Sequence, residues 1–370
     1  MSVFHQPLFS RSPNRNLAPH RWDTHRDIRI FAVYNRNESK EHAAGDERTA
    51  AVVAITGIGA SLPPAPLANS KPYPIMNTRR HFLATVLGAG AASALAGDAR
   101  LSPKGGMIRF GLVTYQWGKD WDIPTILRNC AAAKVHGVEL RVEHAHHVTP
   151  ALTPQQRAEV RARFGDSPVK VLGLGTNFEF HSPDAATVKQ NIEGAKAYLE
   201  LSHDIGGTGV KVKPNALPKE VPAEQTLARI GKALGELGSH AAGFGQEVRL
   251  EVHGKDTALL PNIKAIMDAC ADAGNVRVCW NSNDTDLEGA GIESNFALVK
   301  NRLAGLTHIR GVGQAKYPFA KLAELLVATD YAGWICLEAA KLPQGDIVTA
   351  LARERELFMN LVLEARKTSA

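Results

Sequence analysis

Four cysteines in 370 residues are few, and Cys130, Cys270, Cys279 and Cys336 form no CxxC pair and no zinc-finger spacing. A disulfide framework is thereby disfavoured; each lies in an apolar stretch and reads as a buried free thiol. Aromatic residues are only 6% of the chain, and no basic and aromatic groove is evident. The net charge of +6 therefore reads as a solvated basic surface plus an arginine-rich N-terminal stretch, with no nucleic-acid partner. No apolar run is long enough for a comfortable membrane span. A Gly-rich phosphate turn is also missing after the first strand-like run, which continues into Tyr115, Gln116, Trp117 and Gly118. That disfavours an open, doubly wound nucleotide-binding sheet.

What is present divides into three segments. Residues 1–75 carry Arg, Asn, His and Pro without apolar periodicity, then proline clusters at Pro63-Pro64-Ala65-Pro66 and Lys71-Pro72-Tyr73-Pro74. They are expected to be a disordered or spurious extension upstream of a start at Met76. Residues 76–106 open with Arg79-Arg80, continue through Phe82-Leu83 into a weakly hydrophobic run of small residues, and reach Ala94-Leu95-Ala96. The order resembles a twin-arginine export signal followed by a linker. It implies a periplasmic protein with no stable membrane span after cleavage, or one that stays tethered where cleavage fails. The twin-arginine route carries folded proteins, which suits an enzyme loaded with metal before export.

Residues 107–370 alternate β-rich runs with helical patterns. Strands are expected at Ile108–Thr114, Gly137–Arg141, Val169–Gly173, Gly209–Val212, Val248–Val252, Val276–Trp280, Gly305–Arg310 and Trp334–Glu338. Helices are expected at Ile123–Lys134, Thr153–Phe164, Asp184–Ile205, Ala223–Phe244, Leu260–Ala273, Phe296–Leu303, Phe319–Thr329 and Ile347–Ala365, with Thr153 and Asp184 as N-caps. Eight strand–helix units in this length predict an α/β fold of the (β/α)8 TIM barrel type.

In such barrels chemistry sits at the C-terminal strand ends, and here those ends are polar. Strand two ends in Glu139 and Arg141, strand four in Lys211 and Lys213, and strand five in Glu251 and His253. Strand six runs into Asn281 and Asp284, strand seven carries His308 and Arg310, and strand eight ends in Glu338. Residues two apart share a face, so Glu251 goes with His253 and His308 with Arg310. Several charges from different strands at one rim are hard to explain as a single structural pair, because burying unpaired charge is costly.

Taken together, this third segment resembles the xylose isomerase-like barrel superfamily of sugar phosphate isomerases and epimerases. The resemblance implies a divalent ion (Mn, Mg, Co or Zn) held by Glu251, Asn281, His308 and Glu338. Asn281 stands where that group has aspartate. An amide oxygen still suits a hard cation but brings no charge, and Asp284 is the alternative donor. The same resemblance makes Glu251 and Glu338 the acid–base pair that moves a proton on the carbon beside a carbonyl. His253, Arg310, Glu139, Lys211 and Lys213 are candidates to bind substrate, and Trp117, Phe178, Phe180 and Trp280 to wall a sugar ring. His144, His146 and His147 lie in a loop and read as solvated histidines.

The function implied is a metal-dependent sugar isomerase or epimerase, acting on a small sugar or keto-sugar and compatible with a homo-oligomer. Two alternatives stand beside it: a lyase or hydratase on 3-keto-glycosides or keto-inositols, and a carbohydrate-binding barrel without catalysis. DNA-repair endonucleases of the same superfamily need more strand-end histidines than this chain has.

Overall fold

The computed structural model describes residues 106–270, 273–313 and 316–369. The expected extension and the export signal, residues 1–105, lie outside the described residues. Within the described residues no helix is long and apolar enough to cross a membrane.

Eight parallel strands and eight α-helices alternate. They are β1 (Arg109–Val113), α1 (Ile123–Ala132), β2 (Gly137–Arg141), α2 (Pro154–Gly165), β3 (Lys170–Glu179), α3 (Ala185–Asp204), β4 (Gly209–Lys213), α4 (Ala223–Ala242), β5 (Glu247–Glu251), α5 (Leu260–Asp268), β6 (Val276–Cys279), α6 (Gly291–Val299), β7 (Leu306–Ile309), α7 (Phe319–Ala328), β8 (Trp334–Leu337) and α8 (Ile347–Thr368). The sheet order β6-β5-β4-β3-β2-β1-β8-β7 winds round to a nearly closed (β/α)8 barrel. Helix starts follow local chemistry. Thr153 caps α2 in a reciprocal capping box with Gln156, and Asp184 accepts from the backbone of Ala186 and Thr187 to open α3.

Alternation along the strands makes two cores. Val138 and Leu140 on β2, Val210 and Val212 on β4, and Val248 and Leu250 on β5 join the apolar faces of the helices in one large outer cluster. A second, small cluster fills the barrel interior with Val113, Leu172, Cys279, Leu306 and Cys336, one residue from each of five strands. All four cysteines are free and buried. Among the other inward positions are Glu139, Lys211, Arg249, Glu251 and His308, every one of them buried.

Strand β3 is longer than expected: the expected strand stops at Gly173, whereas the observed one runs on through Gly175 to Glu179. Gly173, at φ 149°, sits in a bulge where the β2–β3 register slips. A Cβ there would lie 2.1 Å from the Gly209 carbonyl. The extra residue turns Leu172 into the interior and Leu174 out to the helices. Helix α6 also differs. It was expected at Phe296–Leu303 but begins at Gly291, and residues Lys300–Arg302 form a short 3-10 turn. Gly289 and Gly291, both at positive φ, lead into it and disguise the helix start as loop.

The one seam without a ladder lies between β6 and β7. Two backbone bonds cross it, from Ala304 N–H to the Val278 carbonyl and from His308 N–H to the Trp280 carbonyl, both 2.8 Å. Higher up, the Arg310 N–H donates to Ser282 Oγ at 2.7 Å. The Tyr317 hydroxyl donates to Asp286 Oδ2 at 2.6 Å, clasping the loop after β6 to the loop after β7. Burial pushes the Asp286 carboxyl up to about 7, even though the Tyr317 hydroxyl and the Asn283 N–H favour its ionised form.

A raised folded-state value means that this carboxyl supports the fold fully below its unfolded value, near pH 4, and loses that support as pH rises through about 7. Asp286→Asn keeps an acceptor for Tyr317 and removes the titration. Urea unfolding from pH 4 to pH 8 should show the variant gaining on the wild type by up to ~4 kcal/mol across that window and not beyond it. A constant difference at all pH values would contradict this account.

Candidate functional site

The inward charges meet near the C-terminal end of the barrel. Glu251 ends β5, His308 lies on β7 opposite Cys336 of β8, and Glu338 follows β8. One donor atom from each of Glu251, His308 and Glu338 falls within 4.8 Å of the others. His308 Nδ1 is 3.2 Å from Glu338 Oε2 and 3.8 Å from Glu251 Oε1. Its Nε2 faces the other way, 3.3 Å from Glu139 Oε1. Asn281 Nδ2 donates to Glu251 Oε1 at 3.1 Å, which places the amide beside one member of that trio. Beneath Glu251, Lys211 Nζ is 2.7 Å from Oε2 and also donates to the Thr176 carbonyl.

The electrostatics follow from this packing. Burial opposes ionisation of Glu251, but the Lys211 ammonium and the His308 ring outweigh it and hold the carboxyl well below its ordinary value. Burial likewise opposes a charged His308, yet Cys279, Glu338 and Glu139 around it push the imidazole well above its usual range. His253, half-buried near Glu251, moves the other way, because loss of water outweighs the attraction of that carboxylate.

Residues 127–357 match the family model described as the xylose isomerase-like TIM barrel. The chain belongs to this family. No curated protein matches it by sequence. Among solved structures it resembles an L-ribulose 3-epimerase at 18% identity and TM-score 0.61, covering 71% of this chain and 97% of that one. It also resembles the 3-keto-D-glucoside 4-epimerase YcjR from E. coli at 16% identity and TM-score 0.58, covering 68% and 99%. A third likeness, to the IOLI protein with a bound zinc atom, has 14% identity and TM-score 0.58, covering 70% and 98%. At these identities the likeness is one of fold.

Within this xylose isomerase-like barrel the donor set fits a hard or borderline divalent ion. It offers two carboxylates and an imidazole nitrogen, with an amide that can turn its oxygen inward. Neither ring nitrogen of His308 makes a well-aligned hydrogen bond, although carboxylates stand close on both sides. Charge points the same way. Glu139, Glu251 and Glu338 against Lys211 and a charged His308 leave one negative charge in a buried space, and two once His308 gives up its proton to hold an ion.

The structure separates the other expected residues by depth. Glu139 and Lys211 are fully buried beneath the cluster rather than at the rim. Lys213 is nearly buried, in register with Glu179 of β3. Arg310 stands at the rim, where its Nη2 meets Asp284 Oδ1 at 2.7 Å and its guanidinium lies 5.9 Å from the Tyr317 ring. Asp284 is thus an exposed partner of Arg310, and Asn281 is the residue beside Glu251.

Two expectations need correction. His146 is not a solvated loop residue. It is buried, its Nε2 sits 2.8 Å from the Arg141 carbonyl, its Nδ1 accepts from the Val148 N–H, and burial brings its value down to about 4. Two of the expected aromatic walls, Trp280 and Phe178, also turn away. Trp280 lies between inward Cys279 and Asn281, so it faces out and packs on Phe296 of α6; Phe178 packs on Tyr198 of α3; Phe180 is in the outer core. Trp117 is buried and donates from Nε1 to the Lys341 carbonyl, in the loop after β8 that also carries Glu338. Tyr115, two residues past inward Val113, packs against the interior cluster instead. The sequence signal for it was strand parity alone.

Lys211 is almost wholly enclosed, so Lys211→Met leaves Glu251 buried without its ammonium. Chemical denaturation of the ion-free variant should show a loss of about 3–5 kcal/mol. A loss under about 1 kcal/mol would mean that His308 alone neutralises Glu251.

Proposed function

We propose that the protein is a divalent-metal-dependent isomerase or epimerase of sugars that moves a proton on the carbon beside a carbonyl. The convergence of Glu251, His308 and Glu338 within 4.8 Å at the end of the barrel carries this reading. Those three residues, with Asn281, would hold Mn, Mg, Co or Zn. When bound, such an ion supplies Lewis acidity that polarises a hydroxy-ketone and acidifies the neighbouring C–H.

The chain's own residues do the rest. Glu251 and Glu338 approach from β5 and β8, so a substrate carbon held between them has a carboxylate on each side. One takes the proton and the other returns it; return to the opposite face inverts the centre. Lys211 keeps Glu251 ionised by holding Oε2 at 2.7 Å. His253, Arg310 and Lys213 offer donors above the cluster for substrate oxygens, and Tyr115 offers a ring face.

The resemblance in fold to a 3-keto-D-glucoside 4-epimerase supports a second reading, 3-keto-glycosides as substrates. Removing the proton beside the ketone would then expel the substituent on the next carbon, and the protein would act as a lyase. Both readings need the same two carboxylates.

Incubation of metal-loaded protein in deuterated water with a panel of ketoses and 3-keto-glycosides distinguishes them. Epimerisation should place solvent deuterium on the recovered sugar, whereas elimination should release the aglycone. Glu338→Gln should lower either rate at least ~100-fold while the protein stays folded. No deuterium gain and no loss of aglycone with any substrate would overturn both readings and favour a carbohydrate-binding barrel without catalysis.

Export is part of the same proposal. The Arg79-Arg80 pair ahead of a small-residue run supports delivery to the periplasm by the twin-arginine route. Replacing both arginines by lysine should retain the protein in the cytoplasm on cell fractionation. Unchanged delivery would rule the route out.

A further inference from the structure

We propose that Glu139 is a positioning residue for His308: its carboxylate pairs with the Nε2–H side of the ring, 3.3 Å away, and so aims Nδ1 at the space between Glu251 and Glu338. The inference rests on the metal-site reading above and extends it to a group below the site. Glu139 is fully buried on β2, so substrate cannot reach it. A carboxylate enclosed at the centre of a barrel is costly unless something there uses its charge. The group facing it is His308, whose Nε2 is 3.3 Å from Oε1.

A histidine that binds a metal through one nitrogen is fixed by what the other nitrogen donates to, and a carboxylate acceptor both sets the tautomer and makes the ring a stronger ligand. The two nitrogens here look in opposite directions, Nε2 at Glu139 and Nδ1 at Glu338 and Glu251.

The neighbouring strand is shaped to allow it. A Cβ on Gly175 would lie 2.5 Å from Glu139 Oε1, so only a glycine leaves the carboxylate where it is. The β3 bulge at Gly173 is what brings Gly175 to that inward place. An interior carboxylate, a glycine that makes room for it and an imidazole aimed by it thus form one unit, distinct from the rim groups.

The test compares full-length wild type with Glu139→Met, which has no acceptor, Glu139→Gln, which keeps a neutral one, and Gly175→Ala, which leaves both partners chemically intact but crowds the carboxylate. Co2+ is the probe, titrated by its visible absorption. Glu139→Met and Gly175→Ala should weaken Co2+ by about 10–100-fold and alter its spectrum, with Glu139→Gln in between. In the ion-free wild type, NMR should show a slowly exchanging, downfield His308 ring N–H that Glu139→Met lacks. A lowered melting temperature with unchanged Co2+ affinity would mark Glu139 as purely structural and overturn the proposal. If wild type binds no Co2+, the metal-site reading fails. The ring N–H then decides alone: its loss in Glu139→Met sustains the positioning role and its persistence overturns it. Should Glu139→Met not fold, Gly175→Ala is judged on the same two readouts.

Discussion

The structure turns on one buried imidazole set among three carboxylates. His308 has Glu139 on its Nε2 side and Glu251 and Glu338 on its Nδ1 side, and Lys211 braces Glu251 from below. Most barrels fill their interior with branched apolar side chains. This one keeps only a small apolar cluster there and gives the rest to charge. Such an interior is stable only if every charge has a counterpart, since an isolated buried ion costs more than a fold can supply. Arg249 shows the same rule lower in the barrel, reaching Glu247, Thr208 Oγ1 and the Leu172 carbonyl. The site is therefore the upper end of a charged column that runs through the barrel.

That column crosses the weakest part of the wall. His308 stands on the seam where β6 and β7 share no ladder, and its own N–H makes one of the two backbone bonds across it. Holding the imidazole in place and closing the cylinder are thus partly the same task. The loops above compensate: Ser282 accepts from the Arg310 backbone and Asp286 accepts from Tyr317, joining the two loops over the gap.

Much of the fold was legible in the chain because period and caps are local. Strand β2 was read to its observed ends, and Thr153 and Asp184 cap the helices as expected. Where local signals mislead, glycine is responsible. The expected β3 stops at Gly173, and Gly289 and Gly291 imitate a loop where α6 begins. Strand ends alone put Glu251, His308 and Glu338 at one rim with many other polar residues; the resemblance to the family singled them out as one donor set. Depth was legible from neither. Glu139 and Lys211 look like rim residues in a list of polar strand positions, yet the stagger of the strands sinks both beneath the cluster. His146 shows the same limit in a loop, where nothing in its three-histidine neighbourhood foretells that a backbone carbonyl will enclose it.

The bulge in β3 has a reach beyond its own strand. Because side-chain direction alternates strictly, one inserted residue exchanges inside for outside for everything that follows on the strand. In a β3 that kept every residue but paired without the bulge, Leu174 would occupy the slot that Gly175 leaves open, and its isobutyl group would collide with the carboxylate on β2. Such a bulge-free pairing would leave the cylinder's outline recognisable while evicting the acid from beneath the imidazole. The phase of one strand, more than the presence of the reactive groups themselves, decides whether this barrel has a wet chemistry or an oily plug at its centre.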